Sequence, residues 1–179
     1  LIQQVQGEQH GRYFYPTLAG VGYSRNPFRW NPQIRREDGF LRLVWGMGTR
    51  AVDRVDNDFP RMVALSHPNL RPDSGAQEIR RHSQHSVDLI DLEKNSFDTR
   101  AVSDIIPTDD PALPYLASED HDDYIQPLFS DARMANPERL VLTFDGLLKK
   151  TPFVQLMKTL LHRLEAVYQL CFGIVKHLR

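Results

Sequence analysis

The 179-residue sequence predicts an α+β fold, a mostly antiparallel sheet packed by helices. Three observations carry this. Short apolar runs such as residues 39–45 and 140–144 have strand length and end at glycine, proline or polar residues. Only the segment opened by Thr151 keeps helical spacing for several turns. Strand-like runs mixed with few helices suit a sheet layered by helices.

Along the chain, residues 13–23 alternate loosely, with aromatics, Val21 and two glycines, and predict a strand or hairpin limb that ends at Asn26-Pro27. Residues 28–38 are polar and basic and read as a surface loop. Residues 39–45 (Gly-Phe-Leu-Arg-Leu-Val-Trp) read as a buried strand, broken by Gly46-Met47-Gly48. Thr49 can then cap a short turn or helix carrying Ala51 and Val52. Residues 60–65 read as another strand, with a loop from His67-Pro68. Ser74-Gly75-Ala76-Gln77 fits a capping box and predicts a helix over about residues 76–85. Residues 87–92 are strand-like, 107–127 read as a long connection with one short helical piece, and 140–144 form a buried strand. Thr151 suits an N-cap and Pro152 the first helical position, where its missing N–H costs nothing. Phe153, Leu156, Met157, Leu160, Leu161 and Leu164 then recur at helical spacing, so this helix packs one face on the sheet.

The totals exclude several classes. A net charge of −1 creates no field drawing the chain to nucleic acid or an anionic membrane. Arg35-Arg36 and Arg80-Arg81 lack interleaved aromatics, so no nucleic-acid partner is expected. No apolar run approaches the roughly 18 residues of a membrane span. The single cysteine, Cys171, allows no intrachain disulfide or cysteine metal site and fits a reducing, cytoplasmic setting. The chain opens on Leu1-Ile2 in mid-pattern, as if cut from a longer one.

Three segments together resemble one family. Ala19-Gly20-Val21-Gly22-Tyr23-Ser24-Arg25-Asn26-Pro27 resembles the "AGV-x-F-[ST]-R-[DN]-P" strand of the PEP/pyruvate-binding ATP-grasp domain of phosphoenolpyruvate synthase and pyruvate phosphate dikinase. Trp45-Gly46-Met47-Gly48 resembles its "WGLG" turn, and Asp53-Arg54-Val55 the "GRV" after it. Residues 156–168 resemble a helix with an "E-x-x-Y" pair, matched by Glu165 and Tyr168. The segments keep the family's order and cover most of the chain.

The resemblance implies the C-terminal lobe of an ATP-grasp domain, residues 1–179 being a partial domain without its front half and its closing acidic strand. It implies ATP and, in the parent enzyme, Mg²⁺. Phosphoryl transfer of this kind proceeds by positioning and charge neutralisation, here toward pyruvate/phosphoenolpyruvate chemistry. Arg25 and Arg54 would be the catalytic phosphate-side residues, since a guanidinium fork suits phosphate. Gly46 and Gly48 would let backbone approach the nucleotide, and Gln3 would lie near the adenine. The implied partners are the missing N-terminal lobe and a separate phosphohistidine domain.

The chain departs from the family pattern where that pattern holds acids. Arg42 and Thr49 occupy two such places, and a cation at Arg42 cannot ligate Mg²⁺. Residues 170–175 (Leu-Cys-Phe-Gly-Ile-Val) stand where a "DIEWA" strand would bring a metal-binding Glu, which points to truncation, a shifted frame or a divergent subfamily. The metal ligands stay unknown. Asp53, Asp56 and Asp58 can supply oxygens but also read as a turn. His82 and His85 sit three apart on a predicted helix without a third ligand. Residues 119–123 (Glu-Asp-His-Asp-Asp) lack the spacing of a calcium loop and read as a solvated acidic segment. Two functions remain open: a fragment of an ATP-dependent phosphotransferase, inactive by itself, or a degenerate lobe that binds nucleotide or a partner without catalysis.

Overall fold

The computed structural model describes residues 2, 4–53, 55, 57–128 and 135–168. The strands are β1 (Glu8–His10), β2 (Tyr13–Tyr15), β3 (Ala19–Tyr23), β4 (Phe40–Val44), β5 (Arg61–Ala64), β6 (Ser86–Asp91), β7 (Ser96–Ala101), β8 (Ala117–Asp120), β9 (Ile125–Pro127) and β10 (Leu140–Leu142). The helices are α1 (Ala76–Arg81), α2 (Val102–Ile105), α3 (Leu113–Leu116), α4 (Asp145–Lys150) and α5 (Phe153–Tyr168). Three antiparallel sheets result, ordered β1-β2-β6-β7, β3-β4-β5 and β10-β8-β9. The expected α+β class with antiparallel pairing holds. Among the described residues no helix is long and apolar enough to cross a membrane.

Pro16 explains why residues 13–23 are not one strand. It has no N–H for a ladder, and the chain changes sheets there: β2 pairs with β6, and β3 pairs with β4. Strand alternation then sorts the β3-β4-β5 sheet into two faces. Gly22, Leu41 and Val63 share one face through their register. The bareness of Gly22 is what lets α5 close on that face, for a Cβ there would stand 3.2 Å from Leu161 Cδ2. Leu41, Leu43, Val63, Leu65 and Leu161 form one core with this sheet, which Phe40 joins from the other face. A second core gathers Tyr15, Trp45, Val87, Leu89, Leu142 and Phe144 from the other two sheets.

The last helix begins as expected. Thr151 Oγ1 accepts from the Phe153 amide at 3.2 Å and donates to the Leu147 carbonyl at 2.6 Å. Its apolar stripe is wider than its contact, however. Phe153, Val154, Met157 and Leu161 pack on the sheet, while Leu156 and Leu160 remain 63% and 46% exposed. The helix predicted over residues 76–85 ends at Arg81. Its N-cap is Gly75, and Ser74 instead gives its amide and hydroxyl to the Glu78 carboxylate at 2.8 and 3.2 Å. The supposed connection over residues 107–127 contains β8 and β9 as well as the expected helical piece, α3. β8 is central in its sheet, and its polar residues are satisfied by particular partners: Ser118 meets the Thr143 hydroxyl at 2.6 Å, and Asp120 pairs with Arg80. Pairing of this kind overrides a weak strand propensity.

Gly46 is where the β4 strand runs into the neighbouring sheet. Its φ is 86°, and a Cβ would lie 2.2 Å from Val87 Cγ2 and 2.9 Å from the Asp88 carbonyl oxygen. Overpacking costs about 1–3 kcal/mol, and the left-handed backbone adds about 1–2 kcal/mol. Gly46→Ala is therefore expected to lower stability in urea denaturation by about 2–5 kcal/mol. Gly11→Ala, at φ 60° with nothing within 4 Å of the new methyl, should cost about 1 kcal/mol.

Candidate functional site

The face of the β3-β4-β5 sheet opposite α5 carries Val21, Arg42 and Met62 in register. At one end Phe40 packs against Tyr23, Phe28 and Trp30, with ring centroids 5.8, 5.4 and 6.1 Å away. At the other end the 3₁₀ turn Gly48–Ala51 folds over the sheet, a Cβ at Gly48 falling 3.6 Å from Ala19 Cβ. Between them runs a groove of about 670 Å³, within the range of small-molecule sites. Arg42 lies in it with Met62, Phe28, Phe59, Asp53 and Asn57. Phe28 and Phe59 are 51% and 38% exposed. Among the described residues no side-chain hydrogen bond or ion pair reaches Arg42. A half-buried guanidinium beside exposed aromatic rings suits an anion attached to a flat, apolar body.

The turn, and Asp58 of the groove's wall beyond it, are held from behind. The Gln84 side chain clamps Trp45, accepting from its amide and donating to its carbonyl, both at 2.8 Å. Gly46 N donates to Pro16 O at 3.1 Å and Met47 N to Asp88 O at 2.9 Å. Asp88 accepts from the hydroxyls of Thr49 and Thr99, each at 2.6 Å, and lies 3.1 Å from Arg50 Nε. Arg50 Nη1 meets Asp58 at 2.6 Å, and Asp58 also accepts from the amides of His85 and Ser86 at 2.9 and 3.1 Å. Val55 and Asp58 bridge across a tight turn with Asn57 at φ 60°.

The expected site residues fare differently. Gly48 opens the 3₁₀ turn, is exposed and lies next to Ala19. Gly46 is buried, and a Cβ there would run into Val87 and Asp88, so its bare backbone serves the contact between sheets. Arg25 lies past the far end of β3 from the turn. The five residues of β3 span roughly 16 Å at about 3.3 Å each, so Arg25 and the Gly46–Gly48 turn do not meet on one phosphate. Arg25 is half-buried and has an interaction of its own. Gln3, Arg54, Asp56 and Cys171 lie outside the described residues, as does the side chain of Tyr168. Thr49, expected to cap the turn, instead holds Asp88, and Asp58 is committed to Arg50. His82 and His85 do not share a helix face, because α1 ends before them and His82 Nδ1 sits 2.7 Å from Asp73.

Among the described residues no three His, Cys, Asp or Glu side chains converge as a metal site. With a guanidinium in the groove, the residues do not fit a protein-held Mg²⁺, and no ligand set is assigned to it. Arg42 was legible in the sequence only as a departure from an acidic pattern. The signal that could have promoted it is a lone cation inside the five-residue strand Phe-Leu-Arg-Leu-Val. Phe28 and Phe59 had no sequence signal beyond being aromatic.

A family model for the pyruvate phosphate dikinase AMP/ATP-binding domain matches residues 1–174. The chain belongs to this family. As a member of a pyruvate phosphate dikinase AMP/ATP-binding family, it has an adenine nucleotide as its supported ligand. No curated protein and no solved structure matches the chain significantly.

Asp88 gives a pH signature. Burial pushes its carboxyl up, but the Thr49 and Thr99 hydroxyls and Arg50 outweigh this and hold it below the usual carboxylate range. A carboxylate with a depressed folded-state value contributes stability above its unfolded value of about 4 and loses it as pH falls through the folded value. The stability gap between the wild type and Asp88→Asn should therefore be constant above about pH 5 and shrink as pH falls below about 4. Urea titrations at stepped pH check this.

Proposed function

We propose that the groove holds ATP or AMP, with phosphate on Arg42 and the flat base and sugar against Phe28, Phe59 and Met62. The observation that carries this reading is Arg42, a guanidinium without a described partner on the floor of a groove of about 670 Å³, in a chain whose family binds AMP and ATP. Gly48, at the start of the 3₁₀ turn, is proposed to offer backbone to the phosphates, since a helix start leaves N–H groups free. Arg54, two residues beyond the turn's end at Val52, and Gln3 are proposed as further contacts, on the resemblance alone.

The finer reading follows the resemblance. Residues 1–179 act as one lobe, the C-terminal one, of a PEP/pyruvate-binding ATP-grasp domain. It closes on a partner lobe and serves a cytoplasmic phosphotransferase of pyruvate/phosphoenolpyruvate type, with a phosphohistidine domain receiving the phosphoryl group. A second reading, nucleotide binding without catalysis, is favoured by a specific observation. Asp58 is spent on Arg50, and Arg42 stands where the family pattern has an acid.

Calorimetric titration with ATP and AMP tests the groove. Arg42→Ala should weaken ATP binding by about 10–100-fold, the worth of one charge-assisted hydrogen-bonded contact at about 1.5–3 kcal/mol. Arg54→Ala should weaken it as well. Unchanged affinity in Arg42→Ala would remove the groove from the reading.

A further inference from the structure

A second cavity, of about 230 Å³, opens at the edge of β5. It is bounded by Arg61, Arg71, Asp73 and His82 on one side and by apolar groups, Phe59, Met62 and Leu142 among them, on the other. At this size it is too small for a nucleotide. Arg61, only 6% exposed, donates to the carbonyls of Thr143, Met62 and Pro68 at 3.2, 2.6 and 3.2 Å and has its nearest carboxylate, Asp145, at 3.9 Å. Arg71 donates through Nη2 alone, to Thr143 O at 3.0 Å and Asp145 at 2.9 Å, and its Nε and Nη1 reach no described group. Asp145 is shared further with Lys149 at 3.0 Å, and Asp73 is engaged by His82 at 2.7 Å.

Asp145 is thus divided among Arg61, Arg71 and Lys149, and the Nε/Nη1 edge of Arg71 has no described carboxylate on it. Burial, with Arg71 close by and Asp145 opposing, pushes the Arg61 guanidinium down to about 9. The chain also holds Phe144, between the Thr143 carbonyl and the Asp145 carboxylate that the arginines grip, at φ 55° although it is fully buried. An aromatic residue there is an outlier, of a kind that clusters at ligand sites.

We propose that this cavity binds a small carboxylate with a short apolar body. The carboxylate sits on the uncommitted edge of Arg71, whose planar fork matches it, and the tail lies between Phe59, Met62 and Leu142. The cavity adjoins the nucleotide groove through Phe59, Pro60 and Met62, while its arginines, Arg61 and Arg71, are not part of that groove.

The test is an NMR titration of the full chain carrying ¹³C-methyl methionine, with Met62 assigned by Met62→Leu. Butyrate is expected to shift the Met62 methyl saturably, acetate to bind at least about 10-fold more weakly for want of the tail, and inorganic phosphate more weakly still. Arg71→Gln should weaken butyrate by at least about 10-fold. Absence of a saturable shift with butyrate, phosphate binding as tightly as butyrate, or an unchanged affinity in Arg71→Gln would overturn the proposal. The comparison of butyrate with acetate uses the unaltered chain and stands even if Arg71→Gln does not fold.

Discussion

The crossing at Gly46 is the contact on which the site depends. A strand that belongs to one sheet delivers its next residues onto β6 of another, and there is no room for a side chain between them. The sequence pays for this with a glycine at φ 86° and surrounds it with polar anchors. Gln84 reads both the amide and the carbonyl of Trp45, and Asp88 collects two hydroxyls and a guanidinium. Removing one member of a buried charged network leaves the others desolvated and unpaired, which is costly. The wall of the groove is thus fixed by the sheet behind it.

That arrangement divides the arginines by task. Arg50 spends its charge on Asp58 and Asp88 and is a fastener. Arg61 is buried and bound to carbonyls. Arg42 projects from the middle of β4 on the face opposite α5. Its charge has no described counterpart, so an anion entering the groove meets a donor already desolvated in part and already positioned. Such preorganisation reduces what binding must spend on ordering side chains.

Much of the framework was legible in the sequence, because hydrophobic spacing records which face of an element is buried. Residues 39–45, 60–65, 87–92 and 140–144 all contain strands, and α5 starts where Thr151-Pro152 said it would. What escaped depended on pairing instead of pattern. β7 is an edge strand, mostly exposed on both faces, and shows no alternation to read. β8 is polar and central at once, its Ser118 and Asp120 satisfied by residues far away in the chain. The site was read from motif segments, and the break expected at Gly46-Met47-Gly48 is where β4 ends and the 3₁₀ turn begins. Those segments could not tell that Gly46 faces a neighbouring sheet, or that Arg25 and the turn stand at opposite ends of β3. Whether an arginine is a fastener or a binder depends on which carboxylates fold against it, and a linear sequence does not display that.

The most direct test is an amide-resolved NMR titration of the chain with ATP. The largest saturable shifts should fall on Phe28, Arg42, Asp53, Val55, Asn57 and Met62, which line the groove, with little change on the α5 side of the same sheet. Shifts centred instead on α5 and the loop at residues 37–39, with β4 and the turn unmoved, would contradict the assignment of the nucleotide to the groove.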